Sequence, residues 1–148
     1  MIKIVSLAWS KKKGTRKQCV DDVMLEENHG VRGDAHAGDW HRQVSFLAAE
    51  SIEGVRQKGL DISFGDFAEN IATEGIDWKA VPVGTRYKLG DAAVVEITQI
   101  GKVCHTKCAI YYQAGDCIMP KEGTFARVIT GGRIKCGDTI EPMHETSG

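Results

Sequence analysis

The dipeptide Gly-Asp occurs at residues 33, 38, 65, 90, 115 and 137. Glycine reaches the left-handed backbone that tight turns need, and aspartate accepts hydrogen bonds from nearby amides. A chain interrupted this often has little room for long helices. The intervals are irregular, so the dipeptides mark turns and not a repeating unit. Short apolar or alternating runs lie between them. Residues 2–8 alternate Ile2 and Ile4 about Lys3 and then become apolar. Residues 23–26, 86–89, 92–100, 125–130, 133–135 and 139–141 read as further strands, and 44–47 as a strand or a helix lead-in. Gly90-Asp91 joins two of these runs as a hairpin would. One stretch has helical spacing: in 48–58, Ala48, Ile52 and Val55 stand at i, i+4 and i+7, with Gly59 as the stop. The pattern predicts a mainly β (β-rich α+β) fold, a closed or nearly closed barrel with one main helix and short helical turns. Val95, Ile97 and Val128 are its expected core residues. A dinucleotide-binding fold is disfavoured, because no strand, glycine-rich turn and helix follow one another in the required order.

A chain of 148 residues fits one domain, with a core at about 4–141 and a tail at 142–148. A formal net charge of -1 gives no field that would draw nucleic acid or a membrane surface. No run is apolar for long enough to cross a membrane as a helix. The apolar start is short and lacks a basic leader, so it reads as a strand and not as a signal peptide. Five cysteines are an odd number for a disulfide framework, which points to reduced thiols and a cytoplasmic location.

Four stretches could carry chemistry. In Gly101-Lys-Val-Cys-His-Thr-Lys-Cys108, continuing to Cys117, three cysteines stand beside Lys102, His105 and Lys107. Cationic neighbours raise the thiolate fraction, and the thiolate attacks electrophiles or binds metals. The group reads as a nucleophilic or sulfur-carrying thiol, as a zinc shell of Cys104, Cys108 and Cys117 with a histidine, or as ordinary buried thiols. The spacing matches common zinc motifs poorly. Residues 10–17 are rich in Lys and Arg, either as a solvated loop or as an anion-binding one beside Gly14. Residues 29–42 hold His29, His36 and His41 among glycines and aspartates; they could bind metal, exchange protons or contact an anion, or could be incidental to turns. Glu69 and Asn70 are adjacent, so on a strand one could turn into a pocket, while an Asx turn is the plainer reading.

Three segments together resemble a known family. They are Gly33-Asp-Ala-His-Ala-Gly-Asp-Trp-His-Arg-Gln-Val-Ser45, Gly65-Asp-Phe-Ala-Glu-Asn-Ile71, and 101–108 through Gly115-Asp-Cys-Ile-Met-Pro-Lys-Glu-Gly-Thr-Phe-Ala-Arg-Val128. The combination is similar to a stand-alone MOSC domain, the module at the C-terminus of molybdenum cofactor sulfurases. The resemblance implies a barrel like that of pyruvate kinase and a role in molybdenum cofactor binding or sulfur transfer. It implies a cysteine after a strand that takes sulfur from a pyridoxal-phosphate cysteine desulfurase, or that ligates molybdenum in relatives that reduce N-hydroxylated compounds. Cys104 matches that cysteine by position, with Cys108 and Cys117 as further catalytic candidates. Candidate cofactor-binding residues on this resemblance are Lys12, Lys13, Arg32, His36, His41, Arg42, Asn70, His105, Lys107 and Arg127. The chain carries no desulfurase or reductase domain, so pyridoxal phosphate would belong to a partner: a cysteine desulfurase, or a molybdoenzyme that receives the product. A carrier module with cysteine as metal ligand, or a structural zinc domain, remains the alternative. Among the thiols, the expected order of reactivity is Cys104, then Cys108 or Cys117, then Cys19 and Cys136.

Overall fold

The computed structural model describes residues 2–12, 17–59, 63–101 and 123–143. The chain begins with β1 (Ile2–Trp9), β2 (Gln18–Val20), β3 (Asp22–Glu26) and β4 (Gly30–Val31). β5 (Val44–Ala48) runs directly into helix α1 (Ala49–Arg56). β6 (Ile71–Glu74) precedes a single 3-10 turn at Trp78–Ala80. β7 (Arg86–Leu89), β8 (Ala93–Ile100), β9 (Thr124–Thr130), β10 (Gly132–Lys135) and β11 (Thr139–Met143) follow.

Seven of these strands close a barrel in the order β1-β6-β5-β9-β8-β7-β11 and back to β1. Its pairings are antiparallel except β5 with β6, which are parallel because α1 and the chain after it carry the backbone across between them. β1 makes the closure possible. One edge pairs with β6, while the other is shared by β11 at Ile2 and Lys3 and by β2 at Leu7–Trp9. A small sheet, β10-β3-β4, adds Val23, Leu25, Val31 and Ile134 to the barrel core.

Alternation along the strands separates two apolar clusters. Val44 and Phe46 point into the barrel, where Phe46, Trp78 and Tyr87 stack with centroids 5.0 and 5.4 Å apart. Trp78 is buried because its indole N–H donates to Thr73 Oγ1 at 2.8 Å, which leaves no orphan donor. Val95, Ile97 and Val128 are buried there as expected. The other face of the wall carries Leu47, Ala72 and Phe125, covered by Ile52 and Val55 of α1 and by Phe67. Each large apolar side chain buried in this way contributes about 1.5–3 kcal/mol.

The residues at 44–47 form a strand because they are needed on both faces of the wall. Ala48 ends β5 opposite Thr73 and stands at the N-cap of the helix; the buried stripe of α1 is Ala49, Ile52 and Val55. The expected tail is shorter at its start than predicted: Pro142 and Met143 belong to β11, opposite Tyr87 and Arg86. Proline reads as a strand stop, yet beyond Ile140 β11 has a partner on one side only, so one N–H can be dispensed with.

Candidate functional site

The loop at 32–42 is held at both ends. Gly33 turns it at φ +85, where an added Cβ would meet the Trp9 ring at 3.4 Å. The next residue, Asp34, is buried and accepts from the Ser10 amide at 3.0 Å, the His36 amide at 3.1 Å and Lys17 Nζ at 2.6 Å. Burial alone would raise the Asp34 pKa. The His36 side chain, the charge and hydrogen bond of Lys17, and the Ser10 amide outweigh it and hold the carboxyl well below its usual range. Lys17 is also fully buried at its side chain, and its ammonium reaches His36 Nδ1 at 3.1 Å and Ser10 Oγ at 3.4 Å. The end of the basic stretch is thus locked onto the histidine loop.

From there the loop crosses the outer face of β9. Trp40 Nε1 donates to the His36 carbonyl at 2.7 Å. The Arg42 guanidinium lies 4.6 Å from the Trp40 ring centroid and 5.7 Å from that of Phe125. His41 Nε2 is 2.9 Å from Gln99 Oε1, and the Thr98 hydroxyl bonds to the His41 carbonyl. Gln99 stands near the end of β8, and Thr124 begins β9 directly opposite Ile100. The loop is therefore tied to the two roots from which residues 102–122 depart and return.

A second arginine stands near Phe125. Arg127 follows Phe125 by two residues on the same strand face. Its Nε, like that of Arg42, is buried without a hydrogen-bond partner. The cross-strand neighbour Glu96 is engaged by Arg86 at 3.6 Å. A buried donor left unpaired costs about 1–3 kcal/mol, more when charged, so each of these guanidiniums is suited to receive an anion. Thr124 Oγ1 is a third buried atom without a partner, at the start of β9.

The remaining candidates fall elsewhere. Arg32 is exposed and pairs with Glu26 at 3.2 Å. Asn70 is buried: its Oδ1 accepts from Ser45 N at 3.0 Å and Ser45 Oγ at 3.2 Å, and its Nδ2 donates to the Ala8 carbonyl at 3.1 Å. It staples β1, β5 and the approach to β6 together. Glu69, also buried, accepts from the Gly65 and Phe67 amides, and burial pushes its pKa up to about 7. Lys12 is exposed. Lys13, Cys104, His105, Lys107, Cys108 and Cys117 lie outside the described residues. Cys19 and Cys136 are exposed; Cys19 Sγ donates to the Phe64 carbonyl at 3.0 Å, and burial raises the Cys136 pKa. Among the described residues, no three His, Cys, Asp or Glu side chains gather as a metal shell would require. Phe125 and Gln99 were missed as site residues by reading the sequence, and Lys17 was read only as part of a basic loop. Nothing local separates Phe125 from other core aromatics; its role comes from the strand that sets it beside Arg42.

A model of the MOSC domain matches residues 33–141. The chain belongs to the MOSC family. Its fold is similar to that of YuaD from Bacillus subtilis, with a TM-score of 0.78 at 18% identity over 96% of each chain. YiiM from Geobacillus stearothermophilus is similar over 100% of this chain and 78% of its own, at TM-score 0.74 and 21% identity. For YiiM from Escherichia coli the corresponding values are 99%, 72%, 0.66 and 21%. No curated protein sequence is significantly similar to it. At these identities the solved structures speak for the MOSC barrel alone. Among the described residues, this MOSC protein has no helix long and apolar enough to cross a membrane.

Proposed function

We propose that this MOSC protein binds the molybdenum cofactor, or its pterin precursor, and carries sulfur on Cys104. The observation that supports the reading best is the pair of buried, unpartnered guanidinium edges at Arg42 and Arg127, beside the roots of the cysteine-bearing segment. The pterin of this cofactor ends in a phosphate, and two charged N–H groups out of water suit such a dianion. Arg42 and Arg127 would hold the phosphate, with the Trp40 and Phe125 rings close to the Arg42 guanidinium. When bound, the cofactor supplies oxygen- and sulfur-atom exchange at its metal.

The thiol chemistry belongs to the chain itself. Lys102, His105 and Lys107 stand within three residues of Cys104 and favour its thiolate. That thiolate attacks the outer sulfur of a persulfide presented by a cysteine desulfurase. A new S–S bond forms on Cys104 as the donor's S–S bond breaks, and the donor cysteine leaves as a thiolate. Incubation with a desulfurase and sulfur-labelled cysteine, followed by peptide mapping without reductant, tests this. Label is expected on the Cys104 peptide and absent from a Cys104→Ser variant. Label on no cysteine at all would overturn the sulfur-carrier reading.

A further inference from the structure

Cys19 and Cys136 are both exposed thiols, and the fold brings them to one corner of the barrel. Cys19 lies on β2 opposite Ala8, and the next residue, Val20, lies opposite Leu7. The Cys19 Sγ atom is 3.6 Å from Ser6 Oγ. Cys136 stands in the turn between β10 and β11, with its amide bonded to the Asp21 carbonyl at 3.0 Å. Its Sγ atom is 3.7 Å from the Val20 carbonyl oxygen and also receives a hydrogen bond from the Leu7 backbone. One sulfur thus rests on Ser6 and the other on Leu7 and Val20, the residues that follow Ser6 and Cys19. A single residue step is about 3.8 Å. The two thiols are close enough to feel one another's charge: burial, Asp21 and Cys19 all push the Cys136 pKa up. Thiols are weak donors, so the contacts to the Phe64 and Val20 carbonyls are easily given up. Among the described residues no third ligand joins the two as a metal shell would require.

We propose that Cys19 and Cys136 are a redox pair that closes to a disulfide, with a small-molecule disulfide of the glutathione class as the oxidant, and pins β2 to the turn between β10 and β11. The inference stands apart from the cofactor and from Cys104. A Cys19 thiolate attacks one sulfur of glutathione disulfide. The S–S bond of the oxidant breaks, one glutathione leaves as thiolate, and a mixed disulfide remains on Cys19. The Cys136 thiolate then attacks the Cys19 sulfur and expels the second glutathione. Two protein thiols are oxidised by two electrons, and one disulfide is reduced to two thiols. Because the Cys136 thiol titrates above its ordinary range, the second step quickens as the pH rises. β2 has three residues and pairs with β1 alone, and it follows directly on Lys17, which holds Asp34. The crosslink therefore fastens the anchor of the histidine loop to a turn far along the chain. It closes a loop of most of the chain, the case in which a crosslink restrains the unfolded state most.

The test uses the full chain in mixtures of reduced and oxidised glutathione, quenched with acid, alkylated, and mapped with trypsin without reductant. The peptide from Gln18 to Arg32 should be found joined to the peptide from Cys136 to Gly148, lighter than their sum by two hydrogens. That pair should exceed any other pairing of Cys19 or Cys136 by about tenfold, the ratio that about 1.4 kcal/mol supports. Cys19→Ser and Cys136→Ser should each stop at a glutathione adduct on the remaining thiol. Oxidation should raise the melting temperature of the wild type by about 4 °C or more and leave that of Cys19→Ser unchanged. The wild-type map stands by itself if a variant does not fold. Cys19 and Cys136 recovered as alkylated thiols or as separate glutathione adducts would overturn the proposal, as would their pairing with Cys104, Cys108 or Cys117.

Discussion

Glu69 shows what burial does to a single carboxyl. It is 1% exposed, and its charged form receives two backbone N–H bonds, from Gly65 and Phe67. Loss of hydration is the larger effect, so the folded-state pKa rises from 4.5 to about 7. A raised folded pKa means that the folded state binds the proton more tightly than the unfolded chain. The resulting stability is fully present below about pH 4.5 and is lost as the pH climbs through about 7. The loss is on the order of 3 kcal/mol. Urea denaturation from pH 4.5 to pH 8 should show it, and Glu69→Gln should flatten the slope. An unchanged slope in that variant would place the pH dependence on other groups. Asp34 is the opposite case: also buried, but held ionised by His36, by the buried Lys17 ammonium and by the Ser10 amide. Sequence alone did not separate these two carboxyls, because each follows a glycine turn and the deciding partners are 17 residues away for one and in the local backbone for the other.

Among the elements, legibility followed pattern and length. β7 and β8 were readable because Tyr87, Leu89, Ala93, Val95 and Ile97 fall at every second position of their strands, with polar residues between them except at Val94, and a Gly-Asp turn joins the strands. β2 and β4 have three and two residues, too few for any period to emerge. β6 was obscured because Glu69 and Asn70, immediately before it, are polar: Glu69 is satisfied by nearby backbone amides, and Asn70 by Ser45 and Ala8 across the fold. The histidine loop was conspicuous by composition, but its attachment to Gln99 and Phe125 depends on β8 and β9 lying side by side. Glycines also divide by element. Gly65 has φ +89, and an added Cβ would overlap the Lys17 carbonyl oxygen, a backbone atom that cannot turn aside. Gly65→Ala should destabilise the fold by about 2–4 kcal/mol. Gly54 lies in α1 with nothing within 4 Å of an added Cβ, so Gly54→Ala should stabilise by about 0.5–1 kcal/mol. Thermal denaturation of the two variants checks the pair, and shifts of the same sign would contradict it.

At the scale of the molecule, barrel closure is the property that no local pattern announces. It depends on β1 using one edge for β6 and dividing the other between β11 and β2, residues far apart in the chain. The same closure explains how a long cysteine-bearing segment can sit between β8 and β9. Ile100 and Thr124 are direct partners, so the segment leaves and rejoins the wall at neighbouring points, and the entropy of closing such an insertion grows only slowly with its length. The barrel thereby presents the buried Nε atoms of Arg42 and Arg127 and its histidine loop beside the roots of the segment that carries Cys104. Native mass spectrometry of the protein purified from its own cells, without reductant, tests the proposed cofactor and sulfur chemistry most directly. The predicted result is a bound pterin together with one added sulfur atom that maps to Cys104. A protein that carries neither, and holds stoichiometric zinc instead, would contradict it.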